Sequence, residues 1–276
     1  MGAHPKVIRR HDSVFVLLNI WLLSCVLGSA AFASPWTRAD NELLIISRAD
    51  YFKADLGPVN TSDGMVDSQF ERFDSNTYVE FGLTDNIMLG AKAVYGTTWL
   101  RRGADIETAT GFSEIEGFGQ YQVFRSNIDA GSARVAFSRP SNFSSGARPA
   151  LQSDGVDIDA SILYGRNLAD DGLKIFTTIE AGFRKRTGAA ADQVRLQSTV
   201  GIEPSEKWLL LVETFATISL RNEQNNGADF DVVKVQPSVL WSYSKRWGIQ
   251  IGATEEITGR NIALGRTFFI GLWSRF

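Results

Sequence analysis

From about Asn41 to Phe276 apolar residues recur at every second position, and no long segment repeats them at the spacing of an amphipathic helix. Successive side chains of a strand point to opposite faces, so this period predicts strands with one apolar and one polar side. Across 77–85, Val79, Phe81 and Leu83 face one way and Tyr78, Glu80, Gly82 and Thr84 the other. Likewise Ile87, Leu89, Ala91 and Ala93 oppose Gly90 and Lys92, and Val156, Ile158, Ala160 and Ile162 oppose Asp157, Asp159 and Ser161. Val233, Val235, Val239 and Trp241 oppose Lys234, Gln236, Ser238 and Ser242, whereas Leu209, Leu211 and Phe215 blur the alternation in 207–220.

The pattern resolves into about twelve strands, at 41–54, 70–84, 87–99, 112–124, 132–139, 155–166, 173–186, 193–203, 207–220, 232–243, 247–258 and 265–276. The connections alternate in length. Thr84-Asp85-Asn86, Pro204-Ser205-Glu206 and Ser244-Lys245-Arg246 are tight turns, with 125–131 and 167–172 slightly longer; 55–69, 100–111, 140–154, 187–192, 221–231 and 259–264 are expected to be longer polar loops. Tight turns on one rim and long loops on the other predict an all-β fold, an antiparallel up-and-down transmembrane β-barrel with turns in the periplasm. Lipid offers the backbone no hydrogen bonds, so such a sheet must close on itself. A soluble β-sandwich shows the same alternation, with its apolar face as a core. Three features favour the barrel: Trp99, Phe124, Tyr164, Trp208, Tyr243 and Trp247 at strand ends as interfacial girdles, strand charges falling mostly on one face of each strand, and a last strand ending in an aromatic residue. Phe268, Ile270, Leu272 and Phe276 on one face of that strand look like the signal read by the outer-membrane assembly machinery.

Composition sharpens this picture at the N-terminus. Lys6, Arg9 and Arg10 precede an apolar run over 14–26, and Ala31-Phe32-Ala33 follows. This is the layout of a secretory signal peptide over 1–33, with the barrel domain over 34–276. Both histidines, His4 and His11, and the single cysteine, Cys25, lie in that leader. Its removal leaves no imidazole and no thiol, which excludes Ser-His triads, Cys nucleophiles and most zinc, copper or haem ligation. No cofactor or metal is expected, and no enzyme activity. A formal net charge of -3 over 276 residues gives no basic footprint for nucleic acid. The expected partners are outer-membrane lipids, the barrel-assembly machinery and a glycan such as an exopolysaccharide.

The polar faces carry Glu80, Lys92, Glu114, Glu116, Asp157, Asp159, Glu180, Arg184, Arg186, Arg195, Glu213, Lys234 and Gln236, which are expected to line the lumen. Acidic pairs on two strands and basic residues on strands seven and eight suggest two walls of opposite sign. Such walls either set a transverse field in an open channel or pair and fill a narrow one. Adjacent-face carboxylates are ~7 Å apart by strand geometry alone, so their spacing does not single out a glycosidase. Glu255-Glu256 reads as a solvated loop edge.

Several segments carry a resemblance: Trp36-Thr37-Arg38, Phe81-Gly82-Leu83-Thr84-Asp85, Ala181-Gly182-Phe183-Arg184-Lys185-Arg186, Gly259-Arg260-Asn261, Gly265-Arg266 and Leu272-Trp273-Ser274-Arg275-Phe276. Together they resemble the XagA-like family of small proteobacterial outer-membrane proteins, linked to operons for biofilm exopolysaccharide, and related barrels of the MetA phenol-degradation type. The resemblance implies a role near polysaccharide export or as a cell-envelope channel. Two readings follow: a passive channel or export-associated barrel for small polar solutes or exopolysaccharide, or a closed barrel whose long loops, above all 55–69 and 140–154, bind glycan or partner proteins.

Overall fold

The computed structural model describes residues 34–61, 64–139, 155–169, 172–187, 191–221 and 229–276. The expected leader, 1–33, and the 140–154 loop lie outside the described residues. The described chain forms twelve strands: β1 (Leu43–Thr61), β2 (Gly64–Thr84), β3 (Ile87–Arg102), β4 (Asp105–Arg125), β5 (Asp129–Arg139), β6 (Asp157–Ala169), β7 (Lys174–Arg186), β8 (Gln193–Ser205), β9 (Trp208–Ser219), β10 (Asp231–Ser242), β11 (Trp247–Arg260) and β12 (Gly265–Arg275). Each pairs antiparallel with its sequence neighbours, and β1 pairs with β12 from Leu44↔Arg275 to Ala54↔Gly265, closing the barrel.

Burial alternates along the wall as the sequence alternates. On β2 the even positions from Ser68 to Glu80 are buried, while Phe73, Ser75 and Thr77 between them are exposed. The exposed set on the other strands is largely apolar: Leu89, Val135, Phe137, Ile162, Ile179, Val212, Ile251, Phe268 and Ile270 among them. A closed cylinder with oily outward and polar inward side chains satisfies every ladder bond within itself and presents hydrocarbon to lipid. Trp208, Trp241 and Tyr243 stack along the rim that carries the tight turns, and Trp247 packs edge-on to Phe276. At the other rim Tyr95 meets Phe112 edge-on.

Two expected loops are strands instead. The 55–69 segment continues the β1–β2 ladder to Thr61↔Gly64, and 100–111 continues the β3–β4 ladder to a turn at Gly103–Ala104. β12 stops pairing with β1 at Ala54, and β5 pairs with β4 only over Ile115–Arg125. The upper ends of β1 to β4 therefore rise as a four-stranded sheet above the closed wall, by about 20 Å along β1 at ~3.3 Å per residue. Gly57, at φ 76°, marks the bulge where β1 leaves the cylinder. The polar composition of these segments suggested loops because hairpins standing in water need no apolar face toward lipid.

Candidate functional site: the lumen and its mouth at the tight-turn rim

Two layers fill the interior, and a strap crosses one mouth. The lower layer, at the rim of tight turns, is apolar: Leu44, Ile46, Tyr78, Met88, Phe118, Ala136, Leu240 and Trp273 form one buried cluster, with Leu209 against it. All point inward. The blurred alternation at Leu43-Leu44-Ile45-Ile46 and at 209–211 has its cause here, since these strands face lipid on one side and this layer on the other. Gly90 makes room for it: a Cβ there would stand 2.0 Å from Phe118 Cζ.

Above it lies a charged layer in which the ions pair. Arg184 Nε binds Asp159 at 2.8 Å, and its other nitrogens reach Asp157 at 3.4 Å and Glu116 at 3.8 Å. Arg186 adds Asp157 at 3.6 Å and Arg195 adds Asp159 at 3.4 Å, while Lys92 binds Glu114 at 2.6 Å. Members of the expected acidic and basic walls thus interdigitate and pair, as buried charges require compensation. Lys234 pairs with Glu256 at 3.0 Å; Glu213, fully buried, accepts from Gln236 at 2.6 Å. Of the other inward positions, Glu80 is buried in the lower third and Glu180 is half-buried on β7.

Sequence reasoning missed a second ionic cluster. Arg48 and Asp50 on β1, and Arg72 and Asp74 on β2, pair at 2.6 Å each, and Asn76 donates to Asp50. Both pairs are Arg-x-Asp, the spacing that puts two side chains on one face of a strand, so the signal was in the sequence. Glu256 was also misplaced: Glu255 lies exposed against Arg266, but Glu256 points inward, buried and bound to Lys234 and to the Gly265 N–H. Arg134 lies 3.6 Å over the Phe118 ring and donates to Tyr78 Oη at 3.3 Å.

The third component is a strap, residues 34–38, tucked into the mouth on the tight-turn rim. Gln122 Nε2 donates to the Pro35 carbonyl at 2.9 Å, Ser132 donates to the same oxygen, and Gln120 donates to the Ser34 carbonyl at 2.8 Å. Thr37 donates to Asp85 O at 2.6 Å, and Arg38 Nε donates to Glu80 at 2.6 Å, where Tyr78 also donates. Pro35 and Trp36 cover Gly165 on β6, and the Trp36 ring meets Phe176 of β7 edge-on at 6.5 Å. The strap therefore spans the mouth from β2 to β7. On the opposite side, between the β8–β9 and β10–β11 turns, a cavity of about 520 Å³ remains, lined by Glu203, Lys207, Leu209, Leu240, Lys245 and Arg275 among others.

No family model and no curated protein matches this chain. Solved structures do. An outer-membrane channel from Pseudomonas putida F1, described as COG4313, is similar over 90% of this chain and 100% of its own, with a TM-score of 0.69 and 10% identity. The transport unit of the autotransporter AIDA-I from Escherichia coli covers 96% of this chain and 98% of its own, at TM-score 0.57 and 9% identity. The NanC porin covers 83% and 98%, at TM-score 0.52 and 8% identity. What is shared at such identities is the fold, and with its apolar exterior and closed ladder this chain is a twelve-stranded barrel of the bacterial outer membrane.

Proposed function

We propose that the protein is a passive channel for small polar solutes whose periplasmic mouth is narrowed by its own N-terminal strap. The observation that carries this is how the strap is held. Most of its contacts are hydrogen bonds, and one ion pair, between the strap and wall side chains that are themselves inward and polar, so the strap is fastened side chain by side chain, whereas the wall behind it is closed by ladder bonds throughout. The charge-compensated layer above suits small polar cargo. The apolar layer and the strap narrow the lumen at the tight-turn rim, which favours small polar solutes over a polysaccharide strand. The likeness of scattered segments to XagA-like and MetA-type barrels supports an envelope role of this kind. Assembly through the outward set Phe268, Ile270, Leu272 and Phe276 belongs to the same proposal.

The test is a cysteine pair, Thr37→Cys with Gln122→Cys, joined by a short reducible bis-methanethiosulfonate linker that replaces the reach of the Gln122 side chain, whose Oε1 lies 3.0 Å from Thr37 Oγ1. In planar bilayers the cross-linked protein is expected to conduct weakly, and reduction to raise conductance several-fold. Deletion of 34–38 should reproduce the reduced state. If neither state conducts, the packed lumen and the sheet standing above the wall favour the second reading, a closed barrel that presents β1–β4 to a glycan or partner.

A further inference from the structure

The inward face of β7, β8 and β9 differs from the rest of the lumen. Register places its side chains in rows: Gly182, Arg195 and Thr217; then Glu180, Gln197 and Phe215; then Thr178, Thr199 and Glu213. The upper two rows are half-exposed inside the barrel, with the Arg195 side chain 35% accessible, whereas the third row is buried at 5%, 5% and 0%. The accessible patch therefore ends on a floor. Gly182 contributes no side chain to the upper row and packs closely on β6, where a Cβ would stand 2.9 Å from Ser161 Cβ. An aromatic ring lies in the middle of the patch: Phe215, between Gln197 on β8 and Lys234 on β10.

We propose that this patch is a binding station for a neutral polyhydroxylated solute, a sugar ring seated on Phe215 with its hydroxyls donating to Glu180. The chemistry decides the class. A sugar has an apolar C–H face and a polar edge, and an aromatic ring flanked by planar polar side chains matches both. Glu180 makes no ion pair or hydrogen bond with another described residue, so its carboxylate offers up to four acceptor sites. Arg195 is already engaged by Asp159, and Lys234 by Glu256. Glu180 in turn lies within the field of the Arg134 guanidinium, so the charges of the patch are compensated, which offers no net attraction to an acidic solute and favours a neutral one with donors. The proposal rests on the channel reading, because a station on the lumen wall serves a solute in transit.

The experiment titrates the folded protein in a non-glycosidic detergent with maltotriose, followed by calorimetry, and runs glucuronate in parallel. Saturable binding of maltotriose, at least tenfold stronger than that of glucuronate, is expected. Phe215→Leu, which keeps an apolar side chain but removes the ring, should weaken it about tenfold; Phe215→Trp should retain it; Glu180→Gln should weaken it several-fold. Heat-modifiable migration verifies the fold of each variant, and Phe183→Leu on the outward face should bind as wild type. No saturable binding, equal binding by Phe215→Leu, or tighter binding of glucuronate overturns the station. Because binding is read without conduction, a protein that binds maltotriose but carries no current in bilayers keeps the station and loses the channel.

Discussion

Arg184 joins carboxylates from β4 and β6, and its removal leaves Glu116, Asp157 and Asp159 sharing only Arg186 and Arg195. Breaking a buried ionic group from one side costs about 3–5 kcal/mol. Arg184→Met is therefore expected to lower unfolding stability by that order in guanidinium titrations of the lipid-embedded barrel, and to shift the reversal potential in a KCl gradient toward cations. A second prediction sits beyond the strands, at Asp192. Lys185 Nζ donates to its carboxylate at 2.8 Å and the Arg186 N–H at 3.0 Å, and these bonds hold the carboxyl below its ordinary value. A depressed acid stabilises the fold above the ordinary carboxylate range, near ~3.9, and loses that contribution as pH falls through the lower folded value. A carbon-labelled Asp192 should titrate below that range, and Lys185→Ala should return its midpoint toward it. At this scale the sequence was informative wherever a charge stood alone among apolar neighbours, as Lys92 and Glu80 do. It was silent about which charges would pair, because Arg184 and Glu116 lie on strands three apart and meet only when the wall curves.

The strap and the paired strands it rests on set the predictions at the scale of elements. Gly165 is the seat of Pro35 and Trp36, and a Cβ there would lie 2.5 Å from Pro35 Cγ and 2.6 Å from the Trp36 ring. Gly165→Val should therefore expel the strap without disturbing the β5–β6 ladder, and give the higher conductance of the strap deletion in a protein of unchanged heat-modifiable migration. The strap itself was legible only as Trp36-Thr37-Arg38 following a leader; nothing in a five-residue stretch without period says that it folds back into a barrel. The β1–β2 and β3–β4 hairpins illustrate the opposite failure. Their alternation fades above the closed wall because polar side chains there bond to one another in place of facing lipid: Gln69 donates to Asp55 at 2.7 Å and Arg102 to Glu107 at 2.8 Å. Period two is a signal of two unlike solvents, and where both faces meet similar surroundings a strand ceases to announce itself.

The whole molecule has a direction. Tight turns, both described chain ends and the strap share one rim, while the raised sheet of β1 to β4 marks the other. A peptide tag inserted between Gly103 and Ala104 is expected to be reached by antibody on intact cells, and the same tag between Glu206 and Lys207 only after the outer membrane is opened. Labelling of both or neither tag on intact cells would reverse or refute that orientation.

The sequence by itself determined the closed wall: strand number, the inward and outward parity of nearly every residue, and the outer-membrane setting all follow from alternation, since period two, a lipid exterior and the need to satisfy the backbone admit few solutions. The tertiary structure alone decided what the wall encloses. Whether inward charges oppose or pair, where Leu44, Met88, Phe118 and Leu240 gather into an apolar layer, how 34–38 crosses the mouth, and that Glu180, Arg195 and Phe215 share an accessible face all depend on barrel curvature and strand tilt. Those quantities are properties of the closed sheet as a whole, and no single strand encodes them.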